Sequence, residues 1–172
     1  MKSAKKILAL ILAGVMALAL LTGCGKATSL NRTMAEGIAE YYKSSYVRAG
    51  NTNNISLSYQ VPELSRDIAP LFDENWITED DGYDVLNETA KETLKGILSP
   101  YMSDSYVAFH AADVTDVKTP FMEGVNLIDS TIEFVASNPP FDAASITSMK
   151  IAVTHKTVNG RTYALTVVIF EA

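Results

Sequence analysis

Hydrophobic residues recur every three to five positions over two stretches of the chain, which is the spacing of an amphipathic helix. The first stretch begins at Ser29 and stops at Gly50 and the asparagine-rich residues 51–54; its apolar members are Leu30, Met34, Ile38, Tyr41, Tyr42 and Val47. The second follows the acidic residues 79–84 and stops at Ser99-Pro100; its apolar members are Val85, Leu86, Ala90, Leu94, Ile97 and Leu98. We therefore expect two long helices, with a brief helix from Glu63 to Ala69 between them.

Shorter segments show the composition of strands. Residues 55–61 alternate and predict a short strand or an extended link that Pro62 ends, and Tyr106 to Phe109 predicts another strand. The segment from Thr131 to Val135 fits either a strand or a short helix, and Asn138-Pro139-Pro140 is a break.

The C-terminus predicts a β-hairpin, because Asn159-Gly160 lies between two alternating runs. With these two residues as the loop, Val158 faces Arg161 and the whole register follows: His155 faces Ala164, Val153 faces Thr166, Ile151 faces Val168 and Met149 faces Phe170.

The two strands of this hairpin differ in their outer faces. The last strand is apolar on both sides, whereas its partner carries Lys150 and Lys156 on one side, so the last strand should be central and its partner nearer an edge. We expect an α+β fold in which an antiparallel sheet with this C-terminal hairpin is covered by helices on both faces, in the manner of an α-β-α sandwich.

The acidic stretch before the second helix invites comparison with a calcium loop. Glu79, Asp81, Gly82 and Glu88 fall at positions 3, 5, 6 and 12 of an EF-hand-like loop, but the position-1 ligand would be Ile77, which cannot coordinate a hard cation. Carboxylates are favoured in the first turn of a helix by its dipole. We therefore interpret the stretch as the start of the second helix, with no metal.

The N-terminus has the layout of a secretory signal peptide. Lys2, Lys5 and Lys6 precede an apolar run from Ile7 to Leu21, and the small residues Thr22 and Gly23 follow it. The alternative is an uncleaved membrane anchor, but this run is shorter than the ~20 apolar residues of a spanning helix.

Leu21-Thr22-Gly23-Cys24 resembles the lipobox of bacterial lipoproteins. The resemblance implies that a diacylglyceryl group is attached to the Cys24 thiol, that the chain is cut between Gly23 and Cys24, and that acyl chains such as palmitate hold the protein in the lipid bilayer. We expect a signal peptide at 1–23, a lipidated cysteine and tether at 24–29, and one domain at 30–172 on the extracytoplasmic face of the cell membrane.

Charge and cysteine content limit the chemistry of the exported domain. Loss of three lysines with the leader lowers the net charge from −6 to −9, which argues against nucleic acid as a partner. Cys24 is the only cysteine, so no internal disulfide and no catalytic thiol remain.

The inventory of catalytic residues is small, and no cofactor motif is present. His110 and His155 are the only histidines, and with Glu123 they form a candidate polar site. We favour a non-enzymatic binding module for an envelope protein or ligand. The alternatives are a hydrolase or metal site built from these residues or Asp129, and a subunit of a larger envelope complex.

The last third of the chain resembles CAP domains, the cysteine-rich secretory, antigen 5 and pathogenesis-related superfamily. The landmarks are Gly124-Val125-Asn126-Leu127, Ser137-Asn138-Pro139, Ile151-Ala152-Val153, Asn159-Gly160 with Tyr163, and Val167 to Phe170. The resemblance implies an α-β-α sandwich with the final hairpin in its middle layer. Val125 replaces the acid of the family's Gly-Glu-Asn motif, so a degraded metal-binding cleft is implied.

Overall fold

The computed structural model describes residues 27–137 and 141–172. The predicted leader, Cys24 and the break at Asn138-Pro139-Pro140 lie outside the described residues. The chain divides into Met1–Leu30 and a compact unit, Asn31–Ala172, which contains every strand that the structure describes. In the described part of the chain, no helix is both long and apolar enough to cross a membrane.

Four α-helices and seven strands are formed by the described residues. The helices are α1 Ala27–Arg48, α2 Ala69–Leu71, α3 Glu88–Leu98 and α4 Pro120–Ile128. The strands are β1 Ser56–Ser58, β2 Ile77–Asp80, β3 Tyr83–Leu86, β4 Ser105–Asp113, β5 Ile132–Ser137, β6 Ser148–Val158 and β7 Arg161–Glu171. A π-helical turn, Leu64–Ile68, leads into α2, and 3₁₀ turns occupy Glu74–Trp76 and Ser99–Tyr101.

Local sequence explains where these helices begin and end. α1 contains the whole amphipathic stretch that was expected to begin at Ser29. It stops just before Gly50, whose φ of +93° suits glycine after a helix. Asn87 caps α3 by accepting a hydrogen bond from the backbone of Ala90 at 2.8 Å.

Five strands form the main sheet in the order β1-β6-β7-β4-β5, and the predicted α+β class is confirmed. The expectation of a wholly antiparallel sheet is wrong: the sheet is mixed, since β1 pairs with β6 in parallel while its other pairings are antiparallel. β7 is central, as its two apolar faces predict, and the edge beside β6 is covered only by the three residues of β1.

The predicted register of the C-terminal hairpin is confirmed. Val158 pairs with Arg161, His155 with Ala164 and Met149 with Phe170. Asn159 and Gly160 both have positive φ, +47° and +85°, as a two-residue hairpin turn requires.

Buried apolar residues form one cluster on each face of this sheet. On one face α3 and the turn at Leu64–Ile68 contact Val107, Phe109, Leu165, Val167 and Ile169. On the other face α1 and α4 contact Met149, Ile151, Val153, Val168 and Phe170. Alternate residues of β7 therefore enter different clusters, which explains why this strand is apolar throughout.

The interpretation of the acidic stretch as a helix start is wrong. Residues 77–86 form a separate antiparallel hairpin, β2 with β3, and its turn is Asp81-Gly82, with φ of +49° and +82°. Val85 and Leu86 therefore belong to a strand, and the helix begins only at Glu88. Asp-Gly turn chemistry outweighs the helical spacing of the neighbouring apolar residues.

The two strands expected in the middle of the chain are present. Tyr106 to Phe109 lies within β4, and the segment from Thr131, for which a helix was the alternative, forms β5. β5 pairs with β4 and brings Glu133 opposite His110.

Candidate functional site

An apolar groove lies between α1 and α4 and has a volume of about 410 Å³. Met34 and Ile38 are almost fully buried at 4 % exposure each, whereas Tyr41 and Phe121 are 49 % and 77 % exposed. The other lining residues are Thr33, Gly37, Pro120, Gly124, Val125, Ile128 and Asp129. Asp129 is the only charged residue among them, so the groove suits an apolar group.

Glycines on both helices help to create this groove. A Cβ added to Gly37 would meet no atom within 4 Å, so the absence of a side chain there leaves open space above the helix. A Cβ added to Gly124 would lie 3.9 Å from Ile38 Cγ1, which shows how closely α4 approaches α1 at this point.

The sequence around α4 carries the start signals of a helix. Thr119 caps the helix by accepting a hydrogen bond from the Met122 backbone at 3.4 Å, and Pro120 occupies the first turn. Leu127 is fully buried, which holds the helix on the sheet. Phe121 and Met122 point away from this buried face and remain exposed.

A polar network joins β6 to both helices. His155 Nε2 lies 3.1 Å from Glu123 Oε2 on α4, and His155 Nδ1 lies 2.8 Å from Asn31 Oδ1 on α1. The side chains of His155 and Glu123 are 25 % and 14 % exposed. With oxygen atoms facing both ring nitrogens, the imidazole donates to both when it is protonated. The network links α1, α4 and the sheet.

His110 lies in the interior of β4 and is 7 % exposed. Burial lowers the pKa of His110 to about 4. Its Nδ1 is buried without a hydrogen-bond partner, and Glu133 Oε2, at 3.6 Å, is too distant to provide one. β4 continues beyond the predicted Tyr106 to Phe109 segment as far as Asp113, so His110 lies within the strand.

Of the three residues of the candidate polar site, the structure brings two together. His155 and Glu123 are in contact, but His110 is on β4 and His155 on β6, with β7 between them. Two strand spacings separate their backbones by about 10 Å or more. Asp129 lies at the C-terminal end of α4 and lines the groove, away from the polar network.

Sequence reasoning missed Asn31 and the groove. Asn31 contacts a residue 124 positions away, and no local pattern indicates such a pairing. The one local signal that could have indicated the groove is Thr119-Pro120, which is typical of a helix start and predicts the second of its two helices, α4.

Aromatic residues fill the space beneath the C-terminal half of α1. Phe170 is the centre of this cluster, with ring centroids 5.1 Å from Tyr42 and 5.3 Å from Tyr46. Burial raises the pKa of Tyr42 to about 12 and raises that of Tyr46 further. Both hydroxyls therefore stay neutral at physiological pH, and the cluster serves packing.

Within residues 27–137 and 141–172, no three histidine, cysteine, aspartate or glutamate side chains lie together as a metal site would require. Comparison of the chain with protein-family models, with curated proteins and with solved structures finds no match in any of the three.

Proposed function

We propose that this protein is a lipid-anchored binding protein of the bacterial cell envelope, and that its binding site is the groove between α1 and α4. The observation that carries the proposal is the groove itself, an apolar cavity of about 410 Å³ with one carboxylate among its lining residues. This volume lies in the range of pockets that hold small molecules or single large side chains.

The lining defines the chemical class of the ligand. Met34, Ile38 and Val125 offer apolar contacts, and Tyr41 and Phe121 offer aromatic ones. Asp129 is exposed at one end, where it favours a cationic or hydrogen-bond-donating group over an anionic one. The ligand is therefore an amphipathic molecule, or an apolar side chain presented by an envelope protein.

Membrane attachment is proposed from the N-terminal sequence. Leu21-Thr22-Gly23-Cys24 supports lipidation of Cys24, and the acyl chains would hold the domain at the extracytoplasmic face of the membrane. Mass spectrometry of the protein from the native cells should find an acylated Cys24 at the N-terminus. A retained leader, or an unmodified Cys24 thiol, would contradict the proposal.

The groove is tested by filling it. Gly37→Leu adds a side chain to open space within the groove, and leucine is well tolerated in a helix. Gly96→Leu is the matched control, because Gly96 is also an exposed helical glycine with open space beside it but lies on α3, outside the groove.

The measurement is titration with the neutral apolar dye N-phenyl-1-naphthylamine, whose fluorescence rises in an apolar site. We expect the wild type and Gly96→Leu to bind it equally and Gly37→Leu to lose the binding. Equal binding by Gly37→Leu, or no binding by the wild type, would show that the groove is not a ligand site.

The contact between His155 and Glu123 favours a second candidate function. A histidine held by a carboxylate can act as a general base, and this pair belongs to the hydrolase alternative that the sequence offered from its histidines and carboxylates. If the domain is such a hydrolase, it should turn over a peptide, ester or glycan substrate, and His155→Gln should abolish the turnover. A purified domain without turnover of these substrates would leave only the binding function.

A further inference from the structure

Two large apolar side chains protrude at the first turn of α4. Phe121 is 77 % exposed and Met122 is 47 % exposed. Two adjacent, exposed, large apolar side chains are unusual on a helix that faces water, because removing each of them from water would lower the free energy. Phe121 also lines the groove, so the protruding pair is continuous with an apolar surface.

This apolar pair lies at the end of the compact unit where the chain enters it. His155 contacts Asn31 near the start of α1 and Glu123 in the first turns of α4 at the same time. Gly124, which follows Glu123 directly, lies against Ile38, two turns after Asn31 on α1. The beginning of α4 is therefore beside the beginning of this unit.

The length of chain before Asn31 limits its distance from the membrane. Asn31 follows Cys24 by seven residues. Seven residues span at most about 25 Å even when fully extended. An acyl group on Cys24 would thus keep the beginning of α4 near the bilayer surface.

The charges at this end are nearly balanced, unlike those of the domain as a whole. Lys118 and Arg32 are exposed, with Asp116 and Glu36 as their acidic neighbours, and Arg32 pairs with Glu36 at 2.8 Å. Glu123, the acidic residue of the α4 first turns, is directed at His155 and is 14 % exposed. An anionic membrane surface would repel this end less than the rest of a domain with a net charge of −9.

We infer that Phe121 and Met122 insert into the lipid bilayer beside the acylated Cys24, so that the groove opens toward the membrane surface. This inference rests on the lipid anchor of the proposed function. Apolar side chains on an amphipathic surface enter the boundary between head groups and acyl chains and leave the polar face in water.

The experiment places a tryptophan at the proposed contact in the full, lipidated protein. Phe121→Trp is reconstituted into vesicles of phosphatidylcholine and phosphatidylglycerol with brominated acyl chains, which quench tryptophan on contact. Val47→Trp is the control: Val47 is 66 % exposed on α1, and sixteen residues of helix place it about 24 Å from Asn31. The native Trp76 is present in both variants and packs against the cluster on the opposite face of the sheet.

We expect the tryptophan at position 121 to shift to shorter wavelength and to lose most of its emission in brominated vesicles, while the tryptophan at position 47 keeps its emission. Equal quenching of the two variants, or quenching of neither, overturns the inference. A protein that lacks acyl chains by mass spectrometry and does not float with the vesicles overturns both the anchor and the inference. An acylated protein that floats but is not quenched at position 121 overturns the inference alone.

Discussion

Acidification should destabilise this domain through His110, because burial disfavours the protonated ring and the half-exposed Glu133 carboxylate, 3.6 Å away, does not offset that cost. The ring is 7 % exposed, its Nδ1 has no hydrogen-bond partner, and burial lowers its pKa from 6.5 to about 4. The unfolded chain therefore binds a proton more readily than the folded one. Stability is unaffected above the unfolded pKa and falls as the pH drops from about 6.5 toward about 4.

The magnitude follows from the difference between the two pKa values. Each unit of difference corresponds to ~1.4 kcal/mol, so the complete effect is about 3 kcal/mol and the part expressed between pH 7.5 and pH 5 is about 2 kcal/mol. Glu133 is half exposed and 3.6 Å away, too distant for a hydrogen bond that would stabilise the charged ring. A loss of ~2 kcal/mol is a large share of the 5–15 kcal/mol typical of a domain.

The assay is urea unfolding of residues 25–172 at pH 7.5 and pH 5, for the wild type and for His110→Leu. Leucine is close to histidine in size and does not titrate, while His155 and all carboxylates are common to both proteins. The free energy of unfolding should fall by ~2 kcal/mol more in the wild type than in His110→Leu. An equal fall in both proteins would show that His110 is protonated in the folded state and would refute this account.

Other variants test the packing, capping and turn assignments. Phe170→Ala should lower the free energy of unfolding by about 3–5 kcal/mol, measured by urea, because it removes the ring at the centre of the aromatic cluster; a loss below 1 kcal/mol would contradict that role. Asn87→Ala should cost about 1–2 kcal/mol by removing the cap of α3, whereas the exposed Thr78→Ala should cost much less. Gly160→Ala should cost about 1–2 kcal/mol in thermal unfolding, since its φ of +85° is unfavourable for a residue with a Cβ; an unchanged melting temperature would argue against this turn.

The part of the fold that could be predicted is the part encoded by neighbouring residues. Asn159-Gly160 specifies its own turn, and period-two alternation on both sides then sets every pair from Val158–Arg161 to Met149–Phe170. Asp81-Gly82 is a turn signal of the same kind, but the helical spacing of the apolar residues continues through Val85 and Leu86 and led to the prediction of a helix there. The turn signal and the helical spacing give different predictions for this segment. The spacing alone does not show that Leu86 is buried as part of a strand and not of a helix.

The sequence could predict which residues belong to the candidate site but not which of them are in contact. Chemistry singled out His110, His155 and Glu123, since the chain has only two histidines, and the structure brings His155 and Glu123 together. Their contact joins residues 32 positions apart, and the contact of His155 with Asn31 joins residues 124 positions apart. Such pairings depend on how α1 and α4 lie on the sheet, and many arrangements of two amphipathic helices satisfy the same pattern.

By itself, therefore, the sequence determined the α+β class, the C-terminal hairpin and its register, because turn chemistry and side-chain periodicity act between near neighbours. Only the tertiary structure decided that His110 is buried apart from His155, and that α1 and α4 lie side by side, with Gly124 against Ile38, and leave a groove. An amphipathic pattern states which side of a helix avoids water. The surface against which that side packs, and the space left where the packing is incomplete, are properties of the assembled chain.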